Sequence, residues 1–327
     1  MSGCDTKHVV FADWIAADFN IEEHALGRHG YTHSASGIDN LASNDKKRDQ
    51  LVQAIRAVPR VDALVFSIAP IDRKVISLLR ENCLLQRMGT GLDNVDLKFA
   101  ASRGNPVRNT PEYCRQEVAT HAMTVLLCLH RQITQTQARL LGGEWSAIPP
   151  APVQRLSTLT LGIAGFGRIG RTLGTYMHPL VDRVMYFDPL LTDTCDWAKS
   201  VDIDTFLQES DMISLHLPLL PETRNFINAE KLARMKPTAV LVNSARGGLV
   251  DPLALTDALN NERLAGAALD VFEPEVLEKE SPLRSANNII LTSHIGWYSE
   301  QAMIDARVEA MESVVEYLGG EPDSDSS

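Results

Sequence analysis

The sequence predicts an α/β protein of two domains with parallel sheets, the second a doubly wound unit of dinucleotide-binding size. Three observations predict it. Short apolar strand candidates alternate with helical stretches along most of the chain. The glycine turn Gly165-Phe166-Gly167-Arg168-Ile169-Gly170 stands between an apolar strand and a helical pattern. The chain is 327 residues long, enough for two domains and a large core.

The elements follow in order. Val9–Ala12 is a short apolar strand candidate, and Ala63–Ser67 is another, after a helical stretch around Asp49–Ala57. Helical periodicity returns at Lys74–Glu81. A glycine turn follows at Met88-Gly89-Thr90-Gly91, and Ala100–Arg103 reads as part of a further helix. From Pro111 the pattern changes. Glu112–Gln132 predicts a long helix, apolar over more than one face and so buried on several sides, as at a domain or subunit interface. Gly142–Val153, with Gly, Pro and Trp, predicts an irregular connector.

The second unit starts at Leu159. Its strand candidates are Thr160–Ala164, Arg183–Phe187, Met212–Leu217, Ala239–Asn243, Ala267–Leu269 and Ile289–Thr292. Helix candidates between them are Arg168–Met177, Ala229–Met235 and Pro252–Asn260. The last helix, Glu300–Leu318, is expected to fold back on the first domain, and the acidic, Ser-rich Gly319–Ser327 to be disordered.

Composition narrows the class. The formal net charge of −11 argues against a nucleic-acid partner, because phosphate binding needs clustered Lys and Arg. The five cysteines, Cys4, Cys83, Cys114, Cys128 and Cys195, are odd in number and scattered, which reads as a reducing compartment. No apolar run approaches the ~18 residues of a membrane span, and no N-terminal stretch resembles a signal peptide, so a cytoplasmic protein is expected.

The glycine turn carries the first chemistry. Gly165 permits the tight turn, Gly167 lets the backbone approach a pyrophosphate, and Gly170 lets the helix pack close on its strand. The helix N-terminus offers N–H groups and a partial positive charge to phosphates. Asp188 ends the next strand, where an acid hydrogen-bonds the adenosine ribose and repels a 2′-phosphate; NAD is expected over NADP. The bland reading is a strand-to-helix turn with a surface acid.

Three charged residues stand past later strands. Arg246 follows a buried strand, where a guanidinium can grip a carboxylate with two parallel hydrogen bonds. A salt-bridge Arg is the bland alternative. His294 follows Ile289–Thr292, where an imidazole can give a proton to a ketone oxygen or take it back. Glu275, if hydrogen-bonded to that ring, favours its charged form. The other eight histidines read as structural or surface residues. Cys114, His121 and Cys128 form a stripe on the long helix, but seven-residue steps of ~1.5 Å rise set them ~10 Å apart, too far to share a metal.

These segments resemble the D-isomer-specific 2-hydroxyacid dehydrogenases over nearly the whole chain. The resemblance rests on LGIAGFGRIG, Asp188, VNSARGGLVD, AALDVFEPE and the segment around His294. Arg87–Asp96 and His294–Gln301 look most like the C-terminal-binding protein branch, which contains dinucleotide-sensing corepressors and related dehydrogenases. Thr292-Ser293 departs from the commoner pattern, in which Pro precedes the His.

The resemblance implies two Rossmann-like domains, a flavodoxin-like substrate domain (1–108 and 299–327) and an NAD-binding domain (109–298), with a cleft between them. It implies Arg246, Glu275 and His294 as catalytic residues. The cofactor contacts it implies are Gly165 to Gly170, Asp188, Pro218, Thr223, Asn243, Ala245, Arg246, Asp270, His294 and Gly296. The substrate contacts are Arg87, Met88, Gly89, Thr90, Gly91, Arg246, His294 and Trp297, with backbone N–H groups at Gly89, Thr90 and Gly91 holding the carboxylate. It further implies a homodimer through the cofactor domains, the long helix in the interface. The expected activity is reversible hydride transfer between NADH and a 2-oxo acid. The alternatives are an NADH-sensing binding protein and a phosphite- or formate-type relative; the Glu–His pairing argues against formate, which has no ketone oxygen to protonate.

Overall fold

The computed structural model describes residues 6–13, 18–38, 42–191 and 195–319. Cys4 and the acidic tail from residue 320 onward lie outside them. The chain divides into two compact units, Met1–Cys114 with Ser299–Ser327, and Arg115–Tyr298.

The first unit runs β1 (His8–Phe11), α1 (Asn20–Gly27), β2 (Thr32–Ala35), α2 (Asn44–Ala57), β3 (Ala63–Phe66), α3 (Arg73–Ile76), β4 (Leu84–Arg87), α4 (Leu97–Ser102) and β5 (Val107–Arg108). The last helix of the chain, α11 (Glu300–Leu318), completes it. Its strands are parallel in the order β2-β1-β3-β4-β5, the doubly wound order of flavodoxin-like sheets. β3 is buried along its length and reads as an unbroken apolar run, as a strand covered on both faces must. Two apolar layers enclose the sheet. One contains Leu51, Ile55, Leu64 and Phe66; the other joins Val9, Phe11 and Met88 to Met311, Val314 and Val315 of α11. Ser299 caps α11 through its hydroxyl on the Ala302 N–H, and Gly319, with φ of 91°, stops it. A buried ion pair fixes α11 against α1: Arg307 donates to both Glu22 carboxylate oxygens at 2.9 and 2.7 Å.

The second unit runs α5 (Arg115–His130), α6 (Ile133–Leu141), β6 (Thr160–Ala164), α7 (Arg168–Met177), β7 (Arg183–Phe187), β8 (Ala198–Ser200), α8 (Ile203–Glu209), β9 (Met212–Leu215), α9 (Ala229–Leu232), β10 (Val240–Asn243), α10 (Pro252–Asn260), β11 (Gly266–Leu269) and β12 (Ile289–Leu291). Its strands are parallel in the order β12-β11-β10-β9-β6-β7-β8. The chain order reverses between β6 and β9, which makes the carboxyl ends of those strands the switch point where such sheets take ligands. No described helix is long and apolar enough to cross a membrane.

The structure corrects some local expectations. The helix expected over Glu112–Gln132 spans Arg115–His130, because Gln132 turns left-handed with φ of 52°. Within its unit it buries one stripe, Val118, Ala119, Ala122, Val125, Leu126 and Leu129, rather than several faces. The helix expected over Lys74–Glu81 is the single turn α3, capped by the Asp72 carboxylate.

Candidate active site

The glycine turn lies at the switch point of the second sheet. Gly165 has φ of +88°, and a Cβ there would stand 2.6 Å from the His216 carbonyl beyond β9. A Cβ on Gly170 would stand 2.2 Å from the Gly165 carbonyl oxygen. Both glycines are therefore required by the chain's own packing. Gly167 is different: a Cβ there meets nothing within 4 Å. That opening faces the start of α7, whose cap residue is Gly167 and carries no side chain to close it. The Phe166 ring is buried and stacks on Tyr186 with centroids 4.2 Å apart, so only its backbone is offered to the turn. Asp188 accepts from the Phe166 N–H at 3.0 Å and the Leu190 N–H at 3.1 Å, which ties the end of β7 to the turn.

Next to the turn, His216 is half-buried, with its Nε2 2.9 Å from the Ser214 hydroxyl. Burial pushes its imidazole down to about 4. Pro218 and Thr223 share the loop after β9, where the Thr223 hydroxyl donates to the Pro218 carbonyl at 2.6 Å.

The three charged candidates leave the sheet on one edge. β10, β11 and β12 are parallel neighbours, so the loops after them, carrying Arg246, Glu275 and His294, start side by side. Two strand spacings put the roots of the first and third loops about 10 Å apart. The Arg246 loop is shaped by Asn243, fully buried, which accepts from the Ala245 N–H at 3.1 Å and donates to the Arg246 carbonyl at 2.9 Å. Gly247 permits close approach: a Cβ there would stand 2.1 Å from the Phe272 backbone.

The His294 loop hangs on Asp270, which is buried. One carboxylate oxygen accepts from the Thr292 hydroxyl at 2.5 Å and the Ile295 N–H at 3.0 Å; the other accepts from the Gly296 N–H at 2.8 Å. His294 itself has φ of 57°, a left-handed conformation that a non-glycine residue holds only when its surroundings impose it. The result is a direct hydrogen bond between His294 Nδ1 and the Glu275 carboxylate. Asp270 and Asn243, expected as cofactor contacts, thus have their side chains engaged in setting two loops. His121 of α5 joins the group, its Nε2 3.4 Å from the Thr292 hydroxyl. From the sequence it counts among the structural or surface histidines, and no spacing signal links positions 171 residues apart. Trp297 packs edge-on against Tyr298, 5.5 Å between centroids.

In the first unit, the turn after β4 departs from expectation in three places. The Arg87 guanidinium is committed to backbone carbonyls, Nε to Ser67 at 3.0 Å and Nη1 to Gly91. Two of its five N–H donors thus hold the turn. The Met88 side chain is buried in the core beside α11. The Gly89 N–H donates to the Thr110 hydroxyl at 2.7 Å, so one of the three backbone donors expected to hold a carboxylate is already engaged.

Comparison with known proteins agrees with this geometry. Residues 123–296 match the family model described as D-isomer specific 2-hydroxyacid dehydrogenase, NAD binding domain. Hydroxypyruvate reductase of Thermotoga maritima is 34% identical over 282 residues, 85% of this chain and 91% of that protein. D-3-phosphoglycerate dehydrogenase of Synechocystis is 35% identical over 274 residues, 83% of this chain, although the match spans only 49% of that protein's length. A glyoxylate reductase from Paecilomyes thermophila superposes with a TM-score of 0.84 at 25% identity, covering 98% of each chain. The chain belongs to the D-isomer-specific 2-hydroxyacid dehydrogenase family.

Proposed function

We propose that this chain is an NAD-dependent oxidoreductase that interconverts a 2-oxo acid and its D-2-hydroxy acid, in the cytoplasm. The observation that carries the proposal is the Glu275–His294 hydrogen bond on the strand edge that also carries Arg246. Bound NADH supplies a hydride to the ketone carbon. Arg246 grips the substrate carboxylate. His294 gives its proton to the ketone oxygen in reduction and recovers it in oxidation. Glu275 orients the ring with Nδ1 toward itself and leaves Nε2 for that proton. Trp297 lines the side-chain end of the pocket.

The residues present fit a dinucleotide. The opening at Gly167 admits a pyrophosphate to the start of α7, and Asp188 stands where it favours ribose hydroxyls and repels a 2′-phosphate, so NADH is preferred over NADPH. The relatives reported above are named as reductases and dehydrogenases, which favours turnover over the sensing role of the C-terminal-binding protein branch. NADH consumption against a panel of 2-oxo acids tests this reading. Tight NADH binding with no consumption by any of them would overturn it in favour of a sensor.

We also propose a homodimer through the cofactor units. α6 buries none of its residues, and Leu141 and Trp145 are 80% and 86% exposed. The segment is closed at its base, where Gln132 and Ala151 exchange hydrogen bonds of 2.8 and 2.9 Å. Such an apolar arm suits a second copy of the same chain. Sedimentation of Trp145→Ala should show monomer where the wild type shows dimer.

A further inference from the structure

The loop that carries His294 rests on a helix of its own unit, and one side chain makes the polar contact. His121 stands on α5, whose Ala119 and Ala122 pack in one apolar layer with Val242 of β10 and Ala268 of β11. The helix is thus fixed against two of the strands from which the charged loops leave. The His121 side chain is only 17% exposed. Its Nε2 lies 3.4 Å from the Thr292 hydroxyl and 3.8 Å from an Asp270 carboxylate oxygen.

The groups themselves set the direction of these hydrogen bonds. A hydroxyl has one proton to give. Thr292 gives it to the Asp270 carboxylate at 2.5 Å. Toward His121 the same hydroxyl can then only accept, which requires the ring to carry a proton on Nε2. At 3.4 Å this bond is weak by itself, but the ring also packs. A Cβ on Gly296 would stand 3.2 Å from its Cδ2 and 2.8 Å from the second Asp270 oxygen. Ring and carboxylate together close the space beside the Gly296 α-carbon. Asp270 in turn holds the Ile295 and Gly296 N–H groups, the two that follow His294. His121 therefore meets the loop at its start, at its carboxylate anchor and just past His294.

Resting on the dehydrogenase reading above, we infer that His121 is a positioning residue for the acid/base pair. It fixes the loop from Thr292 to Gly296 against α5 and so keeps the His294 ring in its bond to Glu275. It orients the loop, while His294 carries the proton.

The test uses the full chain with nitrogen-labelled histidine. Long-range proton–nitrogen correlation spectra report protonation and hydrogen bonding at each ring nitrogen. His294→Ala and His121→Leu assign the two rings, and Glu275→Ala gives the His294 Nδ1 signal of an unpaired ring. In His121→Leu that signal should move toward the unpaired position. With the 2-oxo acid that wild type reduces, kcat should fall at least about tenfold and the NADH dissociation constant should stay within about twofold, the pattern of a misplaced group and not of lost binding. His121→Gln places an amide N–H where Nε2 stood and should recover most of both the signal and kcat. A purely structural histidine would instead lower the urea midpoint and leave the His294 signal in place. An unchanged His294 signal in folded His121→Leu overturns the inference, as does a loss in His121→Gln equal to that in His121→Leu. A shifted signal in a chain that turns over no 2-oxo acid upholds the positioning and sinks the dehydrogenase reading alone. Should His121→Leu not fold, the wild-type spectrum decides. A His121 ring with Nε2 bare cannot donate to Thr292 and overturns the inference; a proton on Nε2 upholds it.

Discussion

His294 directs Nδ1 at the Glu275 carboxylate from a left-handed backbone position that Asp270 enforces through the two N–H groups that follow it. The acid/base candidate is thus set from both sides: its ring by Glu275, its main chain by Asp270. Strain of this kind persists when the structure around it over-determines the conformation.

His294→Ala should lower turnover by about a hundred- to ten-thousand-fold, the range for a general acid–base group, and leave the NADH dissociation constant nearly unchanged. Stopped-flow turnover and fluorescence titration read the two quantities. Full activity in the variant would sink the mechanism.

Two glycines of one turn should respond in opposite ways to the same added methyl group. Gly170→Ala puts a Cβ against the Gly165 carbonyl and should destabilise the fold by about 1–3 kcal/mol or more. Gly167→Ala meets no protein atom, so it should keep wild-type stability but weaken NADH binding. Urea unfolding and NADH titration of both variants separate a packing role from a ligand-approach role. Normal NADH affinity in Gly167→Ala would contradict the assignment of that opening.

His216 should make stability fall in acid. Its folded imidazole is pushed down to about 4 from an ordinary 6.5. Between those values the unfolded chain takes up a proton that the folded chain refuses, so the stability present above pH 6.5 is lost as pH falls toward 4. Urea midpoints measured across this window should slope less steeply for His216→Gln than for the wild type. Parallel slopes would show that the ring does not titrate in this way.

Glu22→Ala should cost up to about 3 kcal/mol, because it removes the bidentate partner of the buried Arg307 guanidinium while the Asp18 carboxylate stays 2.9 Å away. Arg307 is only 7% exposed, so water offers little replacement. Replacing both by similarly sized apolar residues should restore much of the loss. Equilibrium denaturation of the single and double variants checks this; equal losses in both would refute it.

Much of the fold was legible because its signals are local. Thr160–Ala164, Arg168–Met177, Arg183–Phe187, Pro252–Asn260 and Glu300–Leu318 were read with the bounds they have, each marked by an apolar run or a capping residue. The edge strands Thr32–Ala35 and Ala198–Ser200 were not read, because edges are half exposed and their sequences THSA and AKS carry no apolar alternation. At the site, residue types and strand-end positions pointed to Arg246, Glu275 and His294. What no single position announces is how they are held: the positive φ of His294, the three hydrogen bonds on Asp270, and the commitment of Arg87 and the Gly89 N–H to the chain itself. These depend on partners far away in sequence, and only the folded chain brings them together.

The place of α11 has a consequence for synthesis. Val314 and Val315 pack in the same layer as Val9 and Phe11, yet the ribosome makes them some three hundred residues later. Arg115–Tyr298 is complete before that layer can close. A nascent chain therefore finishes its glycine-turn unit first, while the first-made strands wait with an apolar face exposed. Truncation anywhere within α11 would leave a nucleotide-binding unit attached to an unfinished one, a species for chaperones or proteases to recognise.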